Sequence, residues 1–495
     1  MLRFLYICGV LIKYGFLFIL MRLRLYHFPP DKTVKRFFEE AGGSFIKFGQ
    51  LLALRVDILP KQYSLEMFDL LDNVKPFSYN DVKEIFLADL GATPEKVFKD
   101  FQSEPFASGS FGQVHAAKLD DDTIVAVKIM RPDIEETVKA DFIIVDIAAF
   151  IGDTFLKISG FNWKEFASEF KRWTWQELDY QAEAENADRL REALAPNTKI
   201  VIPRIYNRFS TKRILTQEYI DGFPLTRVLR GLKDGRLTRE ELKELGVDLK
   251  KTPHTLCYEL LYQYFIGGFF HADLHPGNII LLQNDKIGLI DFGIMGEWIP
   301  VNQISFIRFI KNVGDFNFNE AIFYFADVVS DDLKMMIQSA FPASVEQKQI
   351  DEFIRILSNH FAETVEETVK SSLKDLKEMK TDYTVMFMKI LNSAESYKIK
   401  LPKEMAIFIK ALSTLGLVAK EMDSEFYINK DIKHFFELNP EETIPNRYSG
   451  KTTRRMSRER AMERLNNWLS YLLERQPDIY KLVNAYITQY NRIDK

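Results

Sequence analysis

The sequence predicts an α+β fold with helical additions at both ends, and three features of its patterning support that prediction. Residues 107–130 join a glycine-containing loop to alternating segments around an acidic turn, which is typical of a β-hairpin. Residues 279–290 have the pattern of a second, shorter hairpin. Residues 31–95, 163–195 and the chain after about 300 have the apolar spacing of helices. The sequence therefore combines small sheets with a large helical fraction.

Two more strands are predicted between these elements, at 204–209 and 213–219, and the second of them is closed by Asp221-Gly222. A helical pattern then runs to about Gly267 and ends in a loop that begins at His271. The order of strands and helices places both predicted hairpins next to loops that carry charged residues.

Composition sets broad limits on the function. The chain has 495 residues with 46% hydrophobic and 27% charged residues, which are ordinary globular values and exclude a wholly disordered chain or a multi-span transporter. This length is enough for roughly two to four domains. The formal net charge of −4 gives no basic field, so no nucleic-acid partner is expected. Cys8 and Cys257 are the only cysteines, which excludes a disulfide scaffold and a cysteine-based zinc site.

The first thirty residues predict an apolar segment that associates with a membrane. They contain no Asp or Glu, and Phe4–Met21 is apolar except for Lys13. As a helix this stretch is about 27 Å long, slightly short of a ~30 Å hydrocarbon core. Apolar residues favour insertion by about 0.3–0.6 kcal/mol each, while a central lysine opposes it by about 2.5–3.5 kcal/mol. The segment is therefore peripheral or spans once, and a helix buried against the protein is the alternative.

The basic residues that follow the segment would place the rest of the chain on the cytoplasmic side. A bacterial inner membrane is the expected location, with the mitochondrial inner membrane as the alternative. A signal peptide is disfavoured because no small-residue cleavage site follows, and mitochondrial presequences are usually amphipathic instead of continuously apolar.

A candidate phosphate-binding loop lies in the first hairpin. Phosphoryl transfer needs a cradle for phosphate oxygens, cations that neutralise them, and a positioned carboxylate. Glycines without a Cβ let the backbone approach a triphosphate closely. The candidate cradle residues are Ala107, Ser108, Gly109, Ser110, Gly112 and Val114. A glycine hairpin that binds no ligand is the alternative.

Lys128 follows this loop on an apolar strand, where an unpaired charge is costly. Protein kinases place their phosphate-binding lysine at this point and pair it with a glutamate on a helix. Glu183 is the predicted partner. A surface lysine whose charged end reaches solvent is the alternative.

The most specific motif is His271, Asp273 and Asn278, spaced as in H-R-D-x-x-x-x-N, with Asp291-Phe-Gly293 eighteen residues after Asp273. Asn278 and Asp291 are the predicted Mg²⁺ ligands, because this cation prefers hard oxygen donors and substrate phosphates. Asp273 is the predicted catalytic residue and can accept a proton or orient a nucleophile. A zinc or iron site built from His271, Asp273 and His275 is the alternative.

These motifs resemble the UbiB family of atypical protein-kinase-like proteins, which is linked to ubiquinone biosynthesis and to other quinone or isoprenoid-lipid metabolism. Phe45-Ile-Lys-Phe-Gly-Gln50, followed by Arg55, Asp57 and Pro60, is similar to the K-x-G-Q segment of the family. Glu177-Leu-Asp179 is similar to its E-x-D element.

Two other segments extend the resemblance, which covers roughly residues 35–425. Phe269-Phe-His-Ala-Asp-Leu-His-Pro-Gly-Asn278 is similar to the catalytic loop of the family, and Leu401-Pro402 with the helices after it to its C-terminal region. The resemblance implies a two-lobed protein-kinase-like fold. The chain is predicted to divide into five parts. These are an apolar segment (1–30), a helical K-x-G-Q extension (31–100), an N-lobe (101–222), a C-lobe (223–440), and a basic linker with C-terminal helices (441–495).

The resemblance also implies residue roles. Lys128 would contact the nucleotide phosphates and pair with Glu183, while Asp273 would be the catalytic base. Glu218 and Tyr219, at the end of a predicted strand, would contact the nucleotide. The residues of the extension and its partners would have a regulatory role over the active site: Lys47, Gln50, Glu177 and Asp179. Lys47 is expected to pair with Glu177 or Asp179 and to block the place of a peptide substrate.

The predicted function is therefore MgATP binding, with hydrolysis or phosphate transfer to a small or lipid-associated substrate, at a membrane surface. Isoprenoid or quinone-type lipids are the expected partners besides the nucleotide. A nucleotide-gated, lipid-presenting scaffold without turnover and a metal-dependent hydrolase are the alternatives. The chain departs from the family at Gly109 and Gly112, where an alanine-rich loop is usual, and at Leu274, where proline is common.

Overall fold

A computed structural model describes most of the chain. The described residues are 2–25, 28–53, 63, 67, 75–155, 163–194, 198–298, 303–340, 346, 348–353, 355–357, 359–360, 363, 403–445, 457–475 and 477–491. The motif positions Arg55, Asp57, Pro60, Leu401 and Pro402 lie outside this set, as does the side chain of Gln50.

Helices and short strands make up the described chain. The helices are α1 Leu2–Arg22, α2 Pro30–Ala41, α3 Ser44–Ala53, α4 Tyr79–Leu90, α5 Pro94–Val97, α6 Ile134–Phe155, α7 Trp163–Glu177, α8 Tyr180–Ala193, α9 Leu225–Lys233, α10 Arg239–Glu244, α11 Thr252–Tyr262, α12 Gln303–Gly314, α13 Phe318–Ala340, α14 Lys403–Met422, α15 Ile428–Leu438, α16 Arg458–Arg475 and α17 Pro477–Asn491. The strands are β1 Asp100–Phe101, β2 Ala107–Ser108, β3 Gly112–Lys118, β4 Ile124–Met130, β5 Ile200–Val201, β6 Ile214–Glu218, β7 Phe223–Pro224, β8 Phe269–His271, β9 Ile279–Leu281, β10 Ile287–Leu289 and β11 Met295–Glu297. The predicted α+β class with small sheets and helical additions is confirmed.

The chain forms two compact units. The first unit comprises residues 1–263, 269–296 and 417–426, and the second comprises 264–268, 297–416 and 427–495. All of the described candidate site residues belong to the first unit.

An antiparallel sheet in the first unit positions Lys128. Its strands lie in the order β1-β3-β4-β6, and β2 also pairs with β3. Side chains alternate along β4, so Val125, Val127 and Ile129 are buried in one core while Lys128 lies on the other face. Helix α4 packs on this core and is capped by a reciprocal pair of bonds between Ser78 and Asp81. The predicted hairpin is therefore present and presents the lysine away from the core.

The second hairpin is also present, as β9 and β10 within a four-stranded sheet of order β5-β10-β9-β7. The predicted strand at 204–209 is wrong. Residues Asn207–Phe209 form a 3₁₀ turn, and Ile205 makes only an isolated bridge to Gln217. The Thr216 hydroxyl donates to the Phe209 carbonyl over 2.7 Å, so a side chain takes the bond that a ladder partner would make.

Helix α1 packs one face against the first unit. Ile7, Val10 and Tyr14 are buried at helical spacing, and the Lys13 ammonium lies 2.6 Å from a Glu40 carboxylate oxygen on α2. Residues Arg3–Arg22 are nevertheless long and apolar enough to cross a membrane, with a mean hydropathy of 2.1 and 17% of the stretch buried. The helix combines a packed face with an apolar exposed face.

The described part of the second unit is helical apart from the end of β11. Helix α12 packs closely on α15, because a Cβ built at Gly314 would lie 2.8 Å from the Ile432 side chain and 2.9 Å from the Lys433 nitrogen. Phe306, Phe309 and Phe325 are buried in this unit. The apolar faces that the sequence shows after residue 300 therefore form a helical core.

Candidate active site

Lys128, Glu183 and Asp291 meet in the first unit although they are far apart in the chain. The Lys128 ammonium lies 2.9 Å and 3.0 Å from the two Glu183 oxygens and 3.0 Å from Asp291 Oδ2. Glu183 is one turn into α8 and almost fully buried, and its Oε1 also accepts the Phe292 N–H over 3.4 Å. The predicted pair of Lys128 and Glu183 is present, and Asp291 joins it.

Burial and charge act against each other in this cluster. Burial lowers the pKa of Lys128, but the Asp291 and Glu183 carboxylates outweigh it and hold the pKa well above its ordinary value. Burial raises the pKa of Glu183 to about 7, although Lys128 opposes the shift. Burial also raises the pKa of Asp291, but Lys128 and Lys47 overcome it, so the net shift is downward. Lys128 and Asp291 are therefore charged at neutral pH.

A second partly buried lysine, Lys47 on α3, lies beside the predicted catalytic carboxylate Asp273. Its ammonium is 2.6 Å from Glu177 Oε1 and 3.4 Å from Asp273 Oδ2. Burial lowers the pKa of Lys47, and the Glu177 and Asp273 carboxylates more than offset it. Of the two partners expected for Lys47, only Glu177 pairs with it. The Asp179 carboxylate accepts the Ala182 N–H over 3.1 Å and caps helix α8.

His271 connects the Asp273 loop to the Asp291 loop. Its Nδ1 accepts the Asp273 N–H over 3.2 Å, so Nε2 carries the proton and donates to the Asp291 carbonyl over 2.6 Å. Burial lowers the pKa of His271, so the ring is neutral. The Ile290 N–H donates to the Asn278 carbonyl over 3.2 Å, which brings Asn278 next to Asp291. The catalytic loop and the Asp-Phe-Gly segment are thus held together by one histidine and a backbone bond.

The glycine loop is closed by its own backbone and by Arg131. The Gly109 N–H donates to the Gly112 carbonyl over 2.8 Å, and the Arg131 guanidinium donates to the Gly109 carbonyl and the Ser108 hydroxyl. A Cβ at Gly112 would lie 2.6 Å from the Ile129 carbonyl and 2.7 Å from the Tyr180 hydroxyl. Only glycine fits at this position, so the departure of Gly112 from the alanine-rich pattern has a steric reason.

The remaining candidate cradle residues lie in the same hairpin. Ala107 pairs with Val114, and Val114 pairs in turn with Lys128, so this part of the loop is in register with the lysine. Ser110 is buried.

Glu218 and Tyr219 lie at the end of β6. The Glu218 carboxylate accepts the Arg204 N–H over 3.2 Å, and the Tyr219 ring packs edge-on against Phe106 at 5.7 Å. Phe106 immediately precedes the glycine loop, so Tyr219 lies at one edge of the hairpin. The carboxylate of Glu218 therefore contacts the backbone nearby, and none of its described bonds is to Lys128.

Sequence reasoning missed Tyr180 and Arg131. The Tyr180 ring is fully buried with the Lys128 ammonium 4.9 Å from its centroid, and its hydroxyl has no hydrogen-bond partner among the described residues. Burial raises its pKa. Tyr180 directly follows the Glu177-Leu-Asp179 element, and Arg131 directly follows β4, so adjacency to the motifs was the available signal.

The donor set fits magnesium better than zinc or iron. The Asn278 amide nitrogen donates to the Asp273 carbonyl over 3.0 Å, which leaves the amide oxygen as the donor atom for a cation beside Asp291. Both ring nitrogens of His271 are already bonded, and His275 Nδ1 accepts the Gly277 N–H. In the described part of the chain, no group of three or more His, Cys, Asp or Glu side chains is arranged to hold a metal. A zinc or iron site at His271, Asp273 and His275 would require the hydrogen bonds of His271 to break.

The chain is similar to known proteins over this region. Residues 69–324, more than half of the chain, match the model of the ABC1 atypical kinase-like domain. A protein from Clostridium pasteurianum, described as an uncharacterized protein in the hydrogenase 1 5′ region, is 32% identical over 416 residues, which is 84% of this chain and 72% of that protein. A probable protein kinase UbiB from Cellvibrio japonicus is 32% identical over 282 residues, which is 56% of this chain and 49% of that protein. The chain thus spans about half the length of the second relative.

A solved structure is also similar. It is the complex of Rv3197 with erythromycin from Mycobacterium tuberculosis, with 23% sequence identity and a TM-score of 0.45 over 82% of this chain and 94% of that chain.

Proposed function

The chain belongs to the ABC1 atypical kinase-like family, and on that premise we propose that it binds MgATP and hydrolyses it or transfers its phosphate to a small or lipid-associated acceptor. The proposed setting is a membrane surface, in support of quinone or isoprenoid-lipid metabolism. The observation that carries the proposal is the meeting of Lys128, Glu183 and Asp291 within 3.0 Å. Glu183 is almost fully buried and Lys128 and Asp291 are partly buried, and a cluster of titratable groups from distant parts of the chain is typical of a site for a charged ligand.

Each residue has a chemical task in this proposal. Lys128 neutralises phosphate oxygens and is oriented by Glu183. Asn278 and Asp291 would hold Mg²⁺, which when bound neutralises charge that develops on the phosphates. Asp273 accepts a proton from the attacking water or hydroxyl. His271 fixes the positions of the Asp273 and Asp291 loops through its two ring nitrogens.

ATP turnover by Asp291→Asn is the direct test. The purified full chain should hydrolyse ATP in the presence of Mg²⁺, and the variant should lose at least about a hundredfold in turnover because it removes a charged metal ligand. Asp146→Asn is a matched control, since Asp146 forms an exposed pair with Lys171. Unchanged turnover and unchanged Mg²⁺-dependent nucleotide binding in Asp291→Asn would reject the proposal.

The second candidate is a nucleotide-gated scaffold that presents lipid precursors without turnover. The observation that favours it is the pairing of Asp273 with Lys47, because a carboxylate held by an ammonium is a poor proton acceptor. Single-turnover release of phosphate distinguishes the two functions. Tight MgATP binding without release would support the scaffold and exclude the enzyme.

A further inference from the structure

Helix α1 exposes an apolar stripe on the side opposite its packed face. Leu5, Ile12, Phe16 and Ile19 recur at helical spacing and Leu23 directly follows the helix; these five residues are between 58% and 73% exposed. The packed face, with Ile7, Val10 and Tyr14, is buried. An exposed stripe of this length is unusual on a soluble surface and marks a contact site.

Helix α6 exposes a second apolar stripe. Ile143, Ile147, Phe150, Ile151 and Phe155 lie at helical spacing and are between 46% and 75% exposed. The opposite face of α6, including Val138, Phe142 and Val145, is buried. Asp146 and Asp153 are acidic residues in the same part of α6; the Lys171 ammonium lies 2.6 Å from Asp146 Oδ1, and Asp153 Oδ1 accepts the Trp163 N–H over 2.9 Å. The sequence pattern alone had predicted only α1 as an apolar contact segment.

An ion pair with a buried carboxylate joins the two helices near the first residues of both stripes. The Arg3 guanidinium donates to the two carboxylate oxygens of Asp141 over 2.8 Å and 3.1 Å, and Asp141 is 0% exposed. The Ser44 N–H also donates to Asp141, so α3 is tied to the same point. Leu5 and Ile143 each lie two residues beyond the pair. Separating α1 from α6 would leave Asp141 buried without its cation, which is strongly unfavourable.

The charges around the stripes favour an anionic lipid surface as the occupant. Residues 1–30 contain no Asp or Glu, and Arg22, Arg24 and Lys32 are exposed at the end of α1 and the start of α2. The Lys164 ammonium lies 5.7 Å from the centroid of the Phe150 ring on the second stripe. Apolar faces bordered by lysine and arginine bind in the plane of membranes that carry acidic head groups.

We propose that α1 and α6 together form one membrane-contact surface, and that α1 lies in the plane of an anionic bilayer, held to the first unit by Arg3 and Asp141, instead of crossing the bilayer alone. Lys13, which opposes insertion of a spanning helix, is neutralised by Glu40 in this arrangement. The inference deepens the membrane part of the proposed function and does not depend on ATP turnover.

Removal of the aromatic side chains of α6 tests the shared surface. The full-length Phe150→Ser/Phe155→Ser variant should bind vesicles of phosphatidylcholine and phosphatidylglycerol about tenfold more weakly than wild type in a flotation assay, because two apolar contacts are lost. Leu87→Ser/Leu245→Ser is the matched control, since these leucines are 50% and 44% exposed elsewhere on the first unit, and it should bind as wild type. Binding of the α6 variant equal to wild type would overturn the proposal.

Three further readouts complete the test. The α6 variant should retain the wild-type melting temperature, because its substitutions are on the surface. Wild type should be released from vesicles by an alkaline carbonate wash, and retention would show that α1 spans and would overturn the in-plane arrangement. A change from oligomer to monomer in the α6 variant, with vesicle binding intact, would assign the surface to a second copy of the chain and overturn the lipid assignment.

ATP turnover is measured in detergent without vesicles, so that catalysis and membrane binding are tested separately. If wild type turns over ATP but does not bind vesicles, the membrane surface alone is rejected. Absence of turnover with α6-dependent vesicle binding rejects the catalytic proposal alone.

Discussion

Lys128 and Lys47, two partly buried lysines of the first unit, are both held by carboxylates, but those carboxylates have different predicted roles. Each ammonium lies between two carboxylates: Lys128 contacts Glu183 and Asp291, and Lys47 contacts Glu177 and Asp273. In both cases burial lowers the lysine pKa and the carboxylates more than restore it.

The difference lies in which carboxylate each lysine engages. Lys128 is in the antiparallel sheet and contacts the predicted metal ligand, a place that a phosphate-binding lysine would also occupy with nucleotide bound. Lys47 is on a helix outside that sheet and contacts the predicted catalytic base. In the proposed function, a similar local arrangement would therefore bind a ligand at Lys128 and restrain the proposed catalytic base at Lys47.

Lys128→Met should have the largest effect. It removes the cation from two carboxylates, one of them almost fully buried, and the unpaired charge should cost about 3–5 kcal/mol of unfolding free energy. MgATP affinity should fall by at least about tenfold, because a charge-assisted phosphate contact is lost. Chemical denaturation and equilibrium nucleotide binding measure the two quantities.

Lys171→Met is the control for that variant, because Lys171 forms an exposed pair with Asp146 and should contribute no more than about 1 kcal/mol. If Lys128→Met and Lys171→Met were equally stable and bound MgATP equally well, Lys128 would be an ordinary surface lysine and the comparison would fail.

Lys47→Met should separate the two lysines. Among its described bonds Lys47 contacts neither Asp291 nor the glycine loop, and it acts on Asp291 through its charge, so MgATP affinity should fall by less than in Lys128→Met. Stability should fall by about 2–3 kcal/mol, because Glu177 and Asp273 lose their shared cation. Transfer of phosphate to a generic protein acceptor should increase, since Asp273 is no longer held. Lys47→Arg keeps the charge and should resemble wild type. If Lys47→Met lost as much nucleotide affinity as Lys128→Met, both lysines would contribute to nucleotide binding and the distinction between them would be wrong.

The pH dependence of stability should report Glu177. Burial raises its pKa from 4.5 to about 7, with Lys47 opposing the shift, so the folded state binds the proton more tightly than the unfolded chain. This contribution is fully present below about pH 4.5 and is lost as the pH rises through 7. The loss amounts to about 3 kcal/mol at most, at about 1.36 kcal/mol per pH unit.

The difference in unfolding free energy between wild type and Glu177→Gln, measured from pH 4.5 to 8, gives the contribution of Glu177 protonation to stability. The Lys47→Met background should move the loss to higher pH, because the cation that lowers the Glu177 pKa is removed. Parallel pH profiles for wild type and Glu177→Gln would contradict a buried, titrating Glu177.

Much of the site could be predicted from sequence because its residues lie in motifs with fixed spacing. Lys128 and Glu183 are 55 positions apart, and their pairing could be predicted because protein kinases pair a strand lysine with a helix glutamate. Asn278 and Asp273 lie in one short loop, so their proximity is local. The α+β class followed from periodicity. The helices after residue 300 were likewise visible in their apolar faces.

The misses have physical causes. Residues 204–209 alternate like a strand, but a Thr216 hydroxyl bonds the Phe209 carbonyl and the chain turns instead. The ion pair of Arg3 with the buried Asp141 joins positions 138 apart, and no local pattern indicates which aspartate Arg3 will contact. Asp179 has the same charge as Glu177 two residues earlier, but the start of α8 needs an acceptor for its unpaired N–H groups and Asp179 supplies it.

Asp179→Ala should have the smallest effect and is the finest test of the comparison. Loss of the cap on α8 should cost about 1 kcal/mol, while Asp179→Asn should cost only a few tenths because it retains an acceptor oxygen. Turnover should remain within about twofold in both variants, because Asp179 contacts neither lysine among the described bonds and Glu183 keeps its place on the helix. A loss of turnover above tenfold in Asp179→Ala at unchanged stability would mean that Lys47 exchanges Glu177 for Asp179 during the reaction. The Lys47 cluster would then be a moving part of the site, and the Lys128 cluster its fixed counterpart.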